Sequence, residues 1–281
     1  MSPSAIDTIR RALAEDLGTG DITSECFIPA DHRSSARIIA KEHGVLAGTE
    51  AAREVFRQVD PAIEVGVLKS DSDAIKPGDV ILTAAGPTRA LLSAERTALN
   101  FLQRLSGIAT LTRRFVDAVS GTNAAILDTR KTTPGLREFE RIAVSAGGGV
   151  NHRFGLFDRV LAKDNHLAVT GDASGLQRAI DEAKKRAPDI LVEIEADTLG
   201  QVRLLCDLRG VDIILLDNLS NEQLREAVQI RGKKQIILEA SGGVNLDTVA
   251  AIAATGVDQI SVGALTHSAR AIDLSMEIVP A

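Results

Sequence analysis

Residues 190–217 read ILVEIEADTLGQVRLLCDLRGVDIILLD. Two apolar, β-branched runs, ILVEIE at 190–195 and VDIILLD at 211–217, bracket a stretch with helical periodicity, TLGQVRLLCDL. Such runs suit strands covered on both faces, and two of them joined through a helix make a parallel pair with a right-handed crossover. The unit repeats outward at roughly 20–30 residue spacing. AAIL (124–127) and DRVLA (158–162) precede it, and QIILEA (235–240) and VDQISVG (257–263) follow. Helical patterns such as SGLQRAIDEAKKRA, NEQLREAVQI and NLDTVAAIAATG fall between the runs. The chain is therefore of the α/β class. Six recognisable strands are fewer than the eight of a closed barrel. An incomplete parallel α/β barrel is the preferred reading. A doubly wound open sheet is the alternative, and periodicity alone does not separate the two.

The first hundred residues lack that alternation. A helical pattern near 4–17 leads into the turn-rich GTGDIT, then into SARIIAKEHGVLAG, IEVGVL and DVILTAAGP, with Pro77-Gly78 and Gly86-Pro87 as turns. Strands without helical crossovers predict a separate α+β domain. A long helical pattern then runs from Ser93 to Val119. Ser93 is its expected cap, Glu95 lies in its first turn, and Gly107 is where it would bend or divide. The domain boundary is placed inside this element, giving an N-terminal domain at 1–105 and a barrel at 106–281.

Composition narrows the function classes. The 281 residues are 44% hydrophobic, enough for one large core or two smaller ones. No apolar run approaches the roughly 18 residues a membrane span requires. Charges interrupt the N-terminal segment from residue 6 onward, so a short amphipathic helix is expected there and not a signal-peptide core. Cys26 and Cys206 form no metal or disulfide framework, so both are expected as small buried hydrophobes of a cytoplasmic protein. A net charge of −6, with no Trp, no Tyr and 2% aromatics, argues against nucleic acid as a partner.

In parallel β/α folds ligands bind at the C-terminal ends of the strands. Each apolar run here ends in residues a core would not choose. They are Asp128-Thr129-Arg130-Lys131, Lys163-Asp164-Asn165-His166, the pair Glu193 and Glu195, Asp217-Asn218, Glu239 before Ser241-Gly242-Gly243, and Gly263-Ala264. Glu193 and Glu195 lie two apart on a strand and share a face, where unpaired buried charge is costly. Glu195 is nearer the strand end and, with Asp217, offers the oxygen ligands that suit magnesium or ribose hydroxyls; a structural salt bridge is the alternative. Ser241-Gly242-Gly243 and Gly263-Ala264 each follow a strand and are expected to open a helix, a natural phosphate site.

The cations carry more information. Arg130, Lys131, His152, Arg153 and Lys163 all fall at one end of one domain of an acidic chain. Such a cluster needs an anion to neutralise it, and arginine's planar fork matches carboxylates. Gly147-Gly148-Gly149 frees the backbone before Asn151-His152-Arg153. A substrate with several negative groups is implied.

The segment DTRKTTPGLREFERIAVSAGGGVNHRFGLFD (128–158) closely resembles the signature of the quinolinate phosphoribosyltransferases, also called carboxylating nicotinate-nucleotide pyrophosphorylases. AEDLGTGDIT, ERTALNFLQRLSGIAT, LAKDNH, EIEAD, ILLDN, EASGGVN and SVGALTHS match in order over essentially the full length. The resemblance implies an N-terminal α/β sandwich domain, an incomplete barrel and a homodimer. It implies that Arg96, Arg130, Lys131, His152, Arg153 and Lys163, with Thr129 beside them, surround the quinolinate carboxylates, and that Arg96 reaches the partner subunit's barrel. Glu195 and Asp217 would hold the ribose hydroxyls and the Mg2+ of phosphoribosyl pyrophosphate. Ser241, Gly242, Gly243, Val262, Gly263 and Ala264 would bind its phosphate. Lys163, Glu195 and Asp217 are the expected catalytic residues, in a phosphoribosyl transfer with decarboxylation that serves NAD biosynthesis.

Three rivals remain open at this point. A related type II phosphoribosyltransferase with another acceptor, such as the molybdenum-associated homologues, would share the fold. A barrel enzyme could use Lys163 as a Schiff-base nucleophile. A nucleotide sensor would bind phosphoribosyl pyrophosphate without turnover.

Overall fold

A computed structural model describes residues 1–170 and 172–279 of the chain. Its internal contacts divide the chain into two compact units, Met1–Arg113 with Thr132–Gly148 and Leu265–Ala281, and Arg114–Lys131 with Gly149–Ala264.

The first unit is built on an antiparallel sheet. α1 (Pro3–Leu17) is capped by the Ser2 hydroxyl and buries Ala5, Ile9 and Leu13, a stripe at i, i+4, i+8. α2 (Ile22–Phe27) is capped by Asp21. Then come β1 (Arg33–Ala40), β2 (Gly44–Val45), α3 (Thr49–Val59), β3 (Glu64–Val67), β4 (Ala74–Ile75) and β5 (Val80–Pro87). Ser34, Ala36, Ile38 and Ala40 of β1 point inward, the period-two pattern of a half-buried strand. β1 sits between β5 and β12 (Leu274–Val279), with β3 beyond β5, so a strand from the far end of the chain completes this sheet.

α4 (Thr88–Ala118) is one unbroken helix that starts five residues before the expected Ser93 cap. Ser93 therefore lies inside the helix, where its hydroxyl donates to Asp21 Oδ2 at 3.1 Å, and Glu95 is past the first turn. Gly107 does not divide the helix. A Cβ there would lie 2.0 Å from the Arg270 carbonyl oxygen, so glycine is needed for close approach of the C-terminal stretch. That stretch is also held by Ile272 N donating to Gln103 O and by the Gln103 amide donating to Leu274 O. Cys206 is buried as expected, but Cys26 is exposed on the short helix α2.

The second unit holds six parallel strands, β6 (Ala125–Leu127), β7 (Val160–Ala162), β8 (Val192–Ala196), β9 (Ile213–Asp217), β10 (Ile237–Ser241) and β11 (Gln259–Ser261). α5 (Arg137–Ala146) belongs to the first unit, and α6 (Asp164–Thr170), α7 (Ala173–Arg186), α8 (Leu199–Asp207), α9 (Asn221–Arg231) and α10 (Val249–Ala253) to the second. The short α11 (Ala264–His267) follows β11.

Strand order decides between the two architectures the sequence allowed. It runs β6-β11-β10-β9-β8-β7, so β7 to β11 follow one another without reversal and β11 pairs back onto β6. A doubly wound sheet reverses at a switch point; a barrel advances in one direction. This is a barrel with one open seam, between β6 and β7. At the seam Val150 makes a single parallel bridge to Leu127 before the chain moves on to β7.

Paired aspartates fix the opposite, N-terminal ends of the strands. Asp212 Oδ2 accepts from Val192 N and Lys184 Nζ, each at 2.7 Å, and Asp258 Oδ2 accepts from Leu238 N at 2.8 Å and Arg231 Nη1 at 2.5 Å. These carboxylates are consumed by the scaffold. The ones at the other end are the candidates for chemistry.

Candidate active site

Register places the acids. Glu195 pairs with Leu215 and Leu215 with Glu239, while Asp217 pairs with Ser241 one step further along. In-register residues of parallel strands share a face, and so do residues two apart on one strand. Glu193, Glu195, Asp217, Glu239 and Ser241 therefore line the same side of the sheet at its C-terminal end. Glu193 and Glu239 have no exposed surface, whereas Glu195 and Asp217 are half-buried at the rim.

Beneath the rim lies a cluster the sequence reading did not assemble. His152 Nε2 is 3.2 Å from Glu193 Oε2 and 3.4 Å from Glu239 Oε1, and Arg159 Nη1 donates to Glu193 Oε2 at 3.2 Å. Neither Glu239 oxygen makes a hydrogen bond within normal geometry among the described residues. His152 N donates to the fully buried Asp128 Oδ1 at 2.7 Å, which ties the segment after the glycine run to the end of β6. His152, Glu193 and Glu239 have ligand atoms within 4.8 Å of one another, close enough for a metal ion. Nδ1, however, accepts the Arg153 amide at 2.7 Å. A ring that ligates through Nε2 carries its proton on Nδ1, which would oppose that amide. In the neutral ring the cluster thus suits a proton on Nε2 between the two carboxylates, and a second proton, on Nδ1, displaces the Arg153 amide.

Burial alone would lower the His152 pKa, but the close carboxylates of Glu193 and Glu239 outweigh it and raise it to about 9. The Arg153 amide and the Arg159 guanidinium, 3.4 Å from Nε2, act the other way. Two buried carboxylates outweigh one dipole and one cation that is itself paired to Glu193. Because the folded value lies above the unfolded one, the stabilisation is fully present below about pH 6.5 and is lost as pH rises through 9. Thermal unfolding should therefore move to lower temperature between pH 7 and 10 in the wild type, and much less in His152→Asn. Equal pH slopes for the two proteins would mean that the imidazole is neutral throughout.

The predicted cations Arg130, Lys131, Arg153 and Lys163 lie in the segments that follow β6 and β7. Arg130 is half-buried and Lys131 exposed beyond β6, with Thr129 Oγ1 accepting the Lys131 amide at 3.1 Å. Arg153 is 9% exposed; burial, then the nearby Arg130, pulls its pKa below the usual arginine value. A guanidinium held that way gains from a bound anion. Lys163 Nζ donates to Glu195 Oε2 at 2.8 Å. Arg96 is exposed on α4 in the first unit.

The glycines act differently from expectation. Gly147 packs where a Cβ would lie 2.5 Å from the Ala109 carbonyl oxygen, and Gly148 has φ +91°. Gly242 and Gly243 have φ +99° and +60°, so the Ser241-Gly242-Gly243 turn is left-handed. It does not open a helix directly, because α10 begins only at Val249. Val262, Gly263 and Ala264 follow β11, and Val262 N donates to Leu127 O at 2.9 Å. Sequence reasoning names Asp128 and Asn218 only as strand-end residues and does not name Arg159. The available signal was an acid inside an apolar run, which demands an internal partner.

Comparisons with known proteins agree along the chain. The family model of the quinolinate phosphoribosyl transferase C-terminal domain matches residues 108–277, and that of the N-terminal domain matches residues 21–106. A carboxylating nicotinate-nucleotide pyrophosphorylase of Mycobacterium leprae (strain TN) is 44% identical over 280 residues, 98% of this chain and 97% of that one. A probable enzyme of the same name from Bacillus subtilis (strain 168) is 42% identical over 265 residues, 94% of this chain and 90% of that one. The solved nicotinate-nucleotide pyrophosphorylase of Francisella tularensis superposes with a TM-score of 0.90 at 40% identity, covering 99% of this chain and 98% of that one.

Proposed function

The chain belongs to the quinolinate phosphoribosyltransferase family, and on that premise we propose how its own residues carry the reaction. It is a pentosyltransferase that joins quinolinate to the ribose of phosphoribosyl pyrophosphate, releasing pyrophosphate and carbon dioxide and leaving nicotinate mononucleotide. The observation that supports the residue assignment is the arrangement at the C-terminal ends of the strands, with the cations in the segments after β6 and β7 and the rim carboxylates on β8 and β9.

Arg130, Lys131, Arg153 and Lys163 would bind the two quinolinate carboxylates, His152 would support them from below, and Arg96 would complete the set from the partner subunit of a homodimer. Glu195 and Asp217 would orient the ribose so that the pyridine nitrogen meets C1 as pyrophosphate departs. Ser241, Gly242, Gly243, Val262, Gly263 and Ala264 would hold the phosphate. Alkylation leaves the ring nitrogen cationic. Loss of the 2-carboxylate puts an electron pair beside that cation, and a proton then takes its place at C2. Two half-buried carboxylates open to solvent fit Mg2+, which keeps several waters and takes phosphate oxygens as ligands. Glu195 and Asp217 would hold it, directly or through the substrate, and it would offset charge on the leaving pyrophosphate. We place the enzyme in the cytoplasm and keep 1–105 and 106–281 as its sequence-level domains, since the two family models change over between residues 106 and 108.

The Schiff-base reading fits less well. Lys163 Nζ is ion-paired with Glu195, whereas a Schiff-base lysine must be an uncharged amine. The deciding experiment supplies phosphoribosyl pyrophosphate and Mg2+ with either quinolinate or nicotinate. Nicotinate lacks the 2-carboxylate and leaves cations unpaired, so quinolinate should be favoured on the order of a thousandfold in kcat/KM. Comparable efficiency for the two acids would refute a pocket built for a dicarboxylate. In the same assay Glu195→Ala and Asp217→Ala should each lower Mg2+-dependent use of phosphoribosyl pyrophosphate by about a hundredfold, through lost charge-assisted bonds to the ribose. A matching loss of thermal stability with no selective kinetic defect would make these residues structural.

A further inference from the structure

Asn218 joins two parts of the site. Among the described residues only Ser72 and Asn218 are non-glycine residues with positive φ, and Asn218 has φ +55°. Asparagine accepts this region more readily than most residues, yet it is still disfavoured relative to glycine. All its polar contacts go to site elements. Its Nδ2 donates to Asp217 Oδ2 at 2.7 Å, and its backbone N donates to Ser241 O at 2.9 Å. Its Oδ1 fills the space above the next glycine, since a Cβ on Gly242 would lie 2.1 Å from that oxygen. Gly242 is thus required both by its φ of +99° and by the Asn218 side chain.

We propose that Asn218 is a positioning residue that fixes the Asp217 carboxylate and the Ser241-Gly242-Gly243 turn as one body. The inference rests on the reading above, in which Asp217 holds the ribose of phosphoribosyl pyrophosphate and the turn holds its phosphate. Asp217 and Ser241 already sit opposite each other in the β9–β10 register. Asn218 adds a side-chain clamp over that pairing, so the spacing between the ribose and phosphate anchors is set before substrate arrives. The left-handed backbone is what turns the amide back onto both partners.

Asn218→Gly isolates the clamp, because glycine adopts this φ without strain and removes only the side chain. The expected result is an unchanged or slightly raised Tm and a quinolinate KM within about twofold. The KM for phosphoribosyl pyrophosphate should rise about tenfold, and the Mg2+ requirement should rise with it, the effect being moderated by solvent at this exposed bond. Gly242→Ala provides a second route, because its methyl drives the Asn218 side chain away. It should raise the same KM, and raise it less when combined with Asn218→Gly, where that collision is gone. Asp217→Ala is the control. If it raises the KM for phosphoribosyl pyrophosphate and Asn218→Gly does not, the clamp is overturned while the ribose reading stands. If Asp217→Ala leaves that KM unchanged, the ribose reading fails and takes the clamp with it. Independent, multiplicative effects of Gly242→Ala and Asn218→Gly would also overturn the proposal.

Discussion

Mixing Arg96→Ala and Lys163→Ala enzymes, each nearly inactive alone, is expected to restore about a quarter of wild-type activity. The expectation follows from the proposed two-fold dimer, in which Arg96 would serve the partner subunit's site and Lys163 its own. A mixed dimer then has one site with both lesions and one with neither. Random exchange at equal concentrations makes about half the dimers mixed, and half the sites in those are native. Arg96 is exposed on α4, and Lys163 is paired with Glu195 beyond β7. If both served the same chain's site, every site in the mixture would carry one lesion. Exchange verified with tagged chains, and no recovery of activity, would then rule out a shared site.

His152→Ala should cost about 3–5 kcal/mol, the usual penalty for removing one partner of a buried ion pair. The imidazole lies 3.4 Å from Glu239, whose oxygens have no hydrogen-bond partner among the described residues and no exposed surface. Glu193 keeps Arg159 at 3.2 Å, so the stranded charge is chiefly Glu239. Calorimetry should show a Tm lower by roughly 6–20 °C, and Glu239→Gln in the same chain should return part of it by neutralising that charge. The double variant makes the origin of the loss measurable, because a cavity left by the ring would be untouched by Glu239→Gln. A His152→Ala enzyme within a degree or two of wild type would mean that water or rearrangement solvates both acids.

The two predictions differ in what made them readable. Lys163 stands out by residue type at a strand end, whereas Arg96 is named only by the family resemblance. The acid pair under His152 was half legible: Glu193 and Glu239 stood out as carboxylates inside apolar runs, but the runs do not say which residue meets them. Arg159, seven residues after His152 and just before β7, pairs with Glu193 because of how the 151–159 loop turns back across the seam.

Local sequence determined which segments are strands and helices in the second unit, because side-chain periodicity and the capping pairs Thr198/Gln201 and Ser220/Gln223 act within a few residues. It also determined which strand ends carry charge, since no core accepts bare carboxylates and guanidinium groups. Tertiary structure alone decided barrel against open sheet, because β11 returning to β6 is a pairing across more than 130 residues that no local period encodes. It decided the fate of β12, which completes a sheet begun at residue 33. It decided the meaning of single residues whose type is ambiguous. Gly107 is a point of close backbone contact within one continuous helix, Ser93 is a hydrogen-bond donor inside a helix and not a cap, and Cys26 is exposed. For Gly107 and Ser93 the deciding atom belongs to a residue distant in the chain, Arg270 and Asp21 respectively. Residue type limits what a side chain can do, and long-range packing selects which of those roles it takes.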